Sequence, residues 1–467
     1  MTMQIRNPRT GEYDYDLIEF SADQVKDIAA NLRQHQADWW QSGLELRIAQ
    51  LQLFAAEIAK AKPELVQAVA ADTGRWSESE IEVDALVQTI NRWCKNAPKL
   101  LGVAPARAAS IPFLEIQQQY YPFQLVGVVS PWNFPLLLSF VDAIPALLAG
   151  CAILIKPSEV TSRFVKVLAN VLAKVPQLQN VLAVVTGGVE TGQAVTSNVD
   201  ILCFTGSVAT GRRVGELCAK LFIPAFLELG GKDAAIVCAD ADLDNASSAI
   251  CWGSMVNAGQ SCMSIERVYV DSRVAKEFKQ LLVEKVSKLR HNYPTITTGE
   301  VGPVISDKQI AVIEQQFNDA KQKNARFLCG GEVVNLGGGA YCQPTVIDNI
   351  TPDMLIGTEE TFAPVLVIEE FTSEQEAVTL ANNSKYGLSG AVFSQDIAKA
   401  HAIASQLVVG GVSINDAALT GFVHEAEKQS FGLSGLGGSR MGDESIRRFI
   451  RKKALLTNTG VKSPWWF

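Results

Sequence analysis

The chain has 467 residues, of which 41 are basic and 49 acidic, for a formal net charge of −8. At about 100–200 residues per domain this length predicts roughly two to four domains. An apolar content of 48% against 19% charged residues describes a packed globular protein rather than a disordered one. The mild acidic balance, without clustered Lys and Arg, argues against nucleic acid or an anionic membrane surface as a partner.

In chain order, the segment before Glu12 lacks the apolar stretch of a signal peptide, which predicts a cytoplasmic protein. Ser21 followed by Gln24 reads as a capping box opening a helix through Val25, Ile28, Ala29 and Leu32. Residues 44–62 form a second amphipathic helical run, stopped by Pro63. A partly alternating β stretch at 113–121 runs into the apolar strand Leu125–Val129. Strands at 152–155, 181–185 and 201–204 then alternate with helices at 136–148, 163–173 and 191–197. A second strand series follows at 234–237, 268–270, 365–368 and 391–393. Strands alternating with helices imply right-handed βαβ units, hence an α/β fold of two doubly wound parallel sheets plus a minor β element. Residues 136–155 have the length of a membrane span, but Pro145 and Gly150 break the run. A buried helix feeding a buried strand is the better reading. The nine cysteines sit singly in apolar runs, as buried free thiols do in a reducing compartment. They and the four histidines share no zinc-type spacing, so no metal site is expected.

Several segments could carry chemistry. The glycine-rich fingerprints GxGxxG and GxxxxGKS/T are absent. In their place Phe204-Thr205-Gly206-Ser207 joins a strand to a helix, where Gly206 would admit a pyrophosphate to the backbone and Ser207 could donate at the helix N-terminus; a plain turn reads the same way. Lys156-Pro157-Ser158-Glu159 also follows a strand, at the edge where such sheets bind ligands, and Lys156 with Glu159 could hold the two hydroxyls of a ribose or form only a surface ion pair. Cys262 ends the small, polar run Asn257-Ala258-Gly259-Gln260-Ser261-Cys262 and has no histidine nearby in sequence to activate it. Glu228, set between Phe226-Leu227 and Gly230-Gly231, is placed for desolvation to make it a general base, or is a surface carboxylate at a strand end.

Taken together, and with Pro131-Trp132-Asn133-Phe134-Pro135 and Glu359-Glu360-Thr361-Phe362-Ala363-Pro364, these segments resemble the aldehyde dehydrogenase superfamily motif by motif. Asn7-Pro8-Arg9-Thr10-Gly11 and Gly411-Val412-Ser413-Ile414-Asn415 extend the resemblance over nearly the whole chain. It implies a Rossmann-like NAD-binding domain from residues 1–106 and 123–229, with 430–450 packing back on it. It further implies a catalytic domain at 230–429, and oligomerisation strands and a tail at 107–122 and 451–467. Cys262 is then the nucleophile, and Asn133 with the Cys262 backbone N–H the oxyanion donors. Glu228 is the base that activates water to hydrolyse the thioester. Its presence favours water over coenzyme A as acyl acceptor. Trp132, Lys156, Ser158, Glu159, Gly206, Ser207, Glu360 and Phe362 are implied cofactor contacts. NAD is preferred because a carboxylate at Glu159 repels a 2′-phosphate, with Arg163 nearby leaving NADP as an alternative.

By the same resemblance Phe134, Leu137, Leu138 and Val141 line the aldehyde tunnel, and Ser261 and Met263 flank the thiol. That lining offers no cation, so the expected substrate is a medium-chain aliphatic or aromatic aldehyde. A semialdehyde dehydrogenase, a Cys-dependent esterase and a binding protein without turnover are the alternatives. The run from Ser430 to Arg440 departs from the family's pattern near the substrate entrance. The aromatic tail Pro464-Trp465-Trp466-Phe467 reads as an interface. With the projecting strands, it predicts a homodimer or homotetramer.

Overall fold

A computed structural model describes residues 2–102 and 105–460; the Pro464–Phe467 tail lies outside the described residues. Two sheets organise it. The first runs Gly435–Leu436, Ala225–Glu228, Ile201–Thr205, Leu125–Val129, Ala152–Lys156, Leu182–Val184, parallel throughout except for its first strand. The second runs Arg326–Cys329, Thr345–Asp348, Val365–Phe371, Ile265–Asp271, Asp233–Val237, Ser389–Phe393, Gly411–Ile414, antiparallel only between its first two. The α/β class with parallel sheets is therefore observed, each sheet carrying one short antiparallel edge.

Strands of such sheets are buried on both faces and read as continuous apolar runs. Ala152–Lys156 is buried at every position, the aliphatic part of Lys156 included. Helices Ala22–Gln41, Leu44–Lys60 and Trp76–Leu100 cover the first sheet, contributing Leu32, Phe54, Leu86 and Trp93 to one core with Ile153 and Leu154. Truncating a residue such as Leu154 there costs about 2–5 kcal/mol. The Ser21–Gln24 capping box is present, with both reciprocal bonds made.

Two elements differ from expectation. Pro63 ends one helix and also opens the next, Lys62–Thr73, where a missing N–H is harmless in the first turn. The single helix expected over 136–148 is two, Pro135–Phe140 and Ala143–Ala149. Pro145 has no N–H to continue the ladder back to Val141. Asp142, at the break, turns its carboxylate to Arg440 at 2.8 Å and Arg448 at 2.7 Å. Strands Arg107–Ala108, Leu114–Pro122 and Ile450–Asn458 form a separate antiparallel sheet. Among the described residues no helix is long and apolar enough to cross a membrane.

Candidate active site

In the first sheet the chain starts at Leu125–Val129, moves outward through Ala152–Lys156 and Leu182–Val184, then returns to the other side with Ile201–Thr205. The crevice at the carboxyl ends of Leu125–Val129 and Ile201–Thr205 is thus the topological switch point, where open α/β sheets bind ligands. Pro131 to Phe134 leave one strand there, and Gly206 and Ser207 the other.

Cys262 reaches this crevice on a strained loop. Asn257, Ala258 and Gly259 have φ of 59°, 53° and 66°, three successive left-handed residues. Gly259 admits no side chain, since a Cβ would fall 1.9 Å from the Ala363 carbonyl oxygen. The loop is locked by Gln260, whose amide donates to Asn257 O and Pro303 O and accepts from Ile305 N at 2.9 Å. Asn133 is joined to the same loop: its Nδ2 donates to Gln260 O at 3.0 Å. Its backbone carbonyl accepts from Arg75 Nη2 at 2.7 Å. Asn133 and the cysteine loop, 127 residues apart in sequence, are therefore tied directly together.

Four charged side chains act on the Cys262 thiol. Burial is the main influence and pushes it up to about 12; Glu360, Asp233 and Glu228 push the same way, and Lys428 opposes them. Glu228 ends its strand beside Thr205 and receives a 3.4 Å hydrogen bond from Ser430 Oγ. Glu360 accepts from Gly231 N at 3.1 Å, and burial, then the neighbouring Glu266, lifts its carboxyl to about 8. Its carboxylate rests on Gly230, where a Cβ would come within 2.2 Å of Glu360 Oε2. Asp233 is lifted to about 7 by burial while Ser389 donates to it from backbone and hydroxyl.

Of the residues expected on the cofactor side, Lys156 Nζ and Glu159 Oε2 are paired at 2.9 Å. Ser158 Oγ accepts from Val160 N and orders that turn. Ser207 is the N-cap of the helix Val208–Leu221, accepting from Thr210 N, so its hydroxyl already serves the helix end. The Gly206 N–H bonds to Glu228 O at 3.1 Å, tying the turn to the Glu228 strand. Trp132 and Phe362 meet edge to face with ring centroids 5.3 Å apart.

The helix that follows Asn133 buries Pro135, Leu136, Ser139 and Phe140 and leaves Phe134, Leu137, Leu138 and Val141 half-exposed on one face. Ser261 and Met263 are likewise half-exposed beside the thiol. The expectation that no cation is present here is corrected: Lys428 Nζ lies 3.2 Å from Met263 Sδ. It was hidden because it arrives from 165 residues further along the chain, just before the segment Ser430 to Arg440.

Other supporting residues also lay outside the sequence reading. Glu266, buried in a central strand, accepts from Thr361 N and Phe362 N, and from Lys232 Nζ at 2.5 Å. This holds the Glu360–Phe362 turn. Charged residues at the start of an otherwise apolar strand, Ile265-Glu266-Arg267-Val268, were the available signal. Glu82, fully buried, accepts from Leu136 N and Leu137 N and so caps the helix after Asn133. Among the described residues no group of three or more His, Cys, Asp or Glu is arranged to hold a metal ion.

A thiol, carboxylates and an amide are thus gathered at the switch point of a doubly wound sheet, the arrangement of an α/β enzyme site, and comparison with known proteins gives the family. The model of the aldehyde dehydrogenase family matches residues 1–455. The chain is similar in structure to a putative aldehyde dehydrogenase, PutA, from Anabaena variabilis (48% identity, TM-score 0.98, all of both chains covered). It is also similar to betaine aldehyde dehydrogenase from Staphylococcus aureus in complex with NAD+ (31% identity, TM-score 0.94, 100% of this chain and 93% of that one). In sequence it is similar to a putative NADP(+) succinate-semialdehyde dehydrogenase from Mycolicibacterium smegmatis, 34% identical over 94% of this chain and 85% of that protein. This protein belongs to the aldehyde dehydrogenase family.

Proposed function

We propose that this protein oxidises an aldehyde to the free carboxylic acid, with Cys262 as nucleophile, Glu228 as base for the hydrolytic water, and Asn133 with the Cys262 N–H as oxyanion donors. The observation that carries this reading is the joining of Asn133 to the Cys262 loop through Gln260, with Glu228 and Glu360 facing the same thiol. The sulfur attacks the carbonyl carbon and its proton passes to a carboxylate or water. Burial holds the resting group as a thiol, so attack and deprotonation are coupled rather than drawn from a standing thiolate. The Asn133 amide and the Cys262 N–H face the oxygen as it gains charge. Losing one such donor costs about 100- to 1,000-fold in rate. The adduct formed is a hemithioacetal; loss of its carbon-bound hydrogen as hydride, to the nicotinamide that the site would hold, would leave a thioester on Cys262. Water whose proton Glu228 accepts then opens that thioester, releasing the acid and restoring the thiol.

The residues present fit a nicotinamide dinucleotide on the chemistry of their donor set. Lys156 and Glu159 pair a donor with an acceptor as a diol requires. Gly206 and the N-terminus of a 14-residue helix stand at the switch point. Trp132 and Phe362 supply a flat apolar corner. Such a group, when bound, supplies the hydride acceptor. Glu159 supports NAD over NADP, since Lys156 holds its carboxyl below the ordinary value against the effect of burial. Phe134, Leu137, Leu138, Val141, Ser261 and Met263 are assigned to the aldehyde channel. Ser158 is assigned to ordering the ribose-side turn.

The domain division given above is retained as part of this reading; the pairing of Gly435–Leu436 with Leu227 and Glu228 supports placing 430–450 with the first sheet. A homodimer or homotetramer is supported by exposed Trp252, Leu419, Phe422 and Val423 and by the projecting strand Ile450–Asn458. A cytoplasmic location completes the reading. The test is NADH formation at 340 nm over a panel of aldehydes. Cys262→Ala should abolish it, while Glu228→Gln should still form about one NADH per site before stalling. Turnover that survives Cys262→Ala would refute the assignment.

A further inference from the structure

Several cations around the crevice are matched to carboxylates. Lys156 pairs with Glu159, Lys232 with Glu266, and both Arg440 and Arg448 with Asp142. Lys428 has no carboxylate partner within salt-bridge distance among the described residues; its ammonium rests on the Met263 thioether, a weak acceptor. It is half-buried and held in place: its backbone N–H donates to Ser439 Oγ at 3.0 Å, and that hydroxyl donates to Met441 O at 2.7 Å. The adjacent Glu427 is engaged elsewhere, accepting from Glu444 N at 3.0 Å. A half-buried ammonium with spare donors, beside the residue that follows the nucleophile, has the capacity to take an anion.

We propose that Lys428 is the specificity-determining residue of this site and anchors the carboxylate of a short ω-oxo acid whose aldehyde end reaches Cys262. The proposal rests on Cys262 being the nucleophile. Met263 spans the gap between the thiol and the ammonium, which limits the spacer between aldehyde and carboxylate to a few carbons. The carboxyls of Asp233 and Glu360 are lifted by burial to about 7 and about 8, so near neutral pH both carry less than full charge, which lessens their opposition to an anionic substrate. Thr420, whose hydroxyl lies 3.8 Å from Met263 Sδ, offers a second donor to the same carboxylate.

The test compares succinic semialdehyde with its neutral methyl ester, methyl 4-oxobutanoate. The wild-type protein should favour the acid in kcat/KM by at least about tenfold. Lys428→Gln should lower that preference by about 10- to 100-fold, the range for a lost charge-assisted hydrogen bond, mainly through KM. Lys428→Arg should restore most of it. A preference unchanged in Lys428→Gln, or an equal fall for both aldehydes, would overturn the proposal, the latter because Lys428 would then act only on the thiol. A second readout needs no turnover: glutarate should slow alkylation of Cys262 by iodoacetamide in the wild type but not in Lys428→Gln, and glutaramide should do so in neither. Protection by glutarate without NADH formation from any aldehyde would keep the anion site and refute the dehydrogenase reading. NADH formation without protection or acid preference would do the reverse.

Discussion

Replacing Arg75 by methionine tests how the oxyanion side of the site is held. Arg75 is fully buried, and its Nη2 donates to the Asn133 carbonyl at 2.7 Å while its guanidinium lies 5.5 Å from the centre of the Phe134 ring. Methionine retains the packing on Phe134 but removes a charge-assisted bond worth about 1.5–3 kcal/mol. The Asn133 oxygen is left with only the 3.4 Å contact from Asn257 Nδ2. Glu82 loses the cation opposing its burial, so its raised carboxyl rises further. The sum is a stability loss of about 2–4 kcal/mol, read from urea unfolding. Asn133 would keep its amide yet lose one of two anchors, so the kinetic cost should be a fraction of a deleted donor. We expect kcat to fall about 10- to 30-fold with KM within about threefold, together with a slower pre-steady-state NADH burst. Arg75→Lys, which keeps charge but falls short of Asn133, should not rescue the burst. Lost stability with unchanged burst rate and kcat would show that Arg75 only packs, and would refute the coupling.

Four further outcomes follow from the same geometry. Alkylation of Cys262 in the ligand-free protein should accelerate about tenfold per pH unit from about pH 7 to 9 without a plateau, because burial pushes the thiol up to about 12; a plateau near pH 8 would refute this. Glu82 is raised by burial from 4.5 to about 7, so the stability it contributes is complete below about pH 4.5 and lost as pH rises through 7. Between about pH 5 and 7 the wild type should lose on the order of 2 kcal/mol more than Glu82→Gln in urea unfolding, and equal slopes would count against it. Glu159→Gln should raise NADP use relative to NAD by about tenfold in kcat/KM, less than a bare Coulomb value because the carboxylate is partly exposed. An unchanged ratio would remove Glu159 from cofactor choice. Asp142→Ala leaves two buried guanidiniums without their anion and should cost about 3–5 kcal/mol; less than about 1 kcal/mol would mean that those charges find water.

The parts of the fold that sequence revealed are those whose burial is uniform. Leu125–Val129 and Ala152–Lys156 announce themselves because strands buried on both faces leave no room for polar residues. The Ser21–Gln24 box was legible because capping is local. The 25-residue helix Trp76–Leu100 was not, since its buried face includes Ser79, Glu82 and Thr89 and so breaks the apolar period. Two acidic residues of this helix serve the site: Glu82 caps the helix after Asn133, and Glu78 accepts from Asn257 N. Asn133, Glu228 and Cys262 stand in contiguous motifs, whereas Arg75, Glu266 and Lys428 acquire meaning only through contacts made across long stretches of chain. The edge strand Gly435–Leu436 is two residues long, too short for any periodicity.

The pinning of Asp142 by Arg440 and Arg448 sets an order on the molecule's birth. A nascent chain that has emerged as far as Asn415 holds every parallel strand of both sheets, with Asn133, Glu228 and Cys262 already made. It still has a carboxylate committed to the interior with neither of its cations, no Gly435–Leu436 strand beside Glu228, and no Lys428. The cost of that uncompensated charge works against premature closure around the thiol. The segment after Asn415 thus acts as a condition on the site: the reactive sulfur gains its finished surroundings only once residues 428–448 have packed against the first sheet.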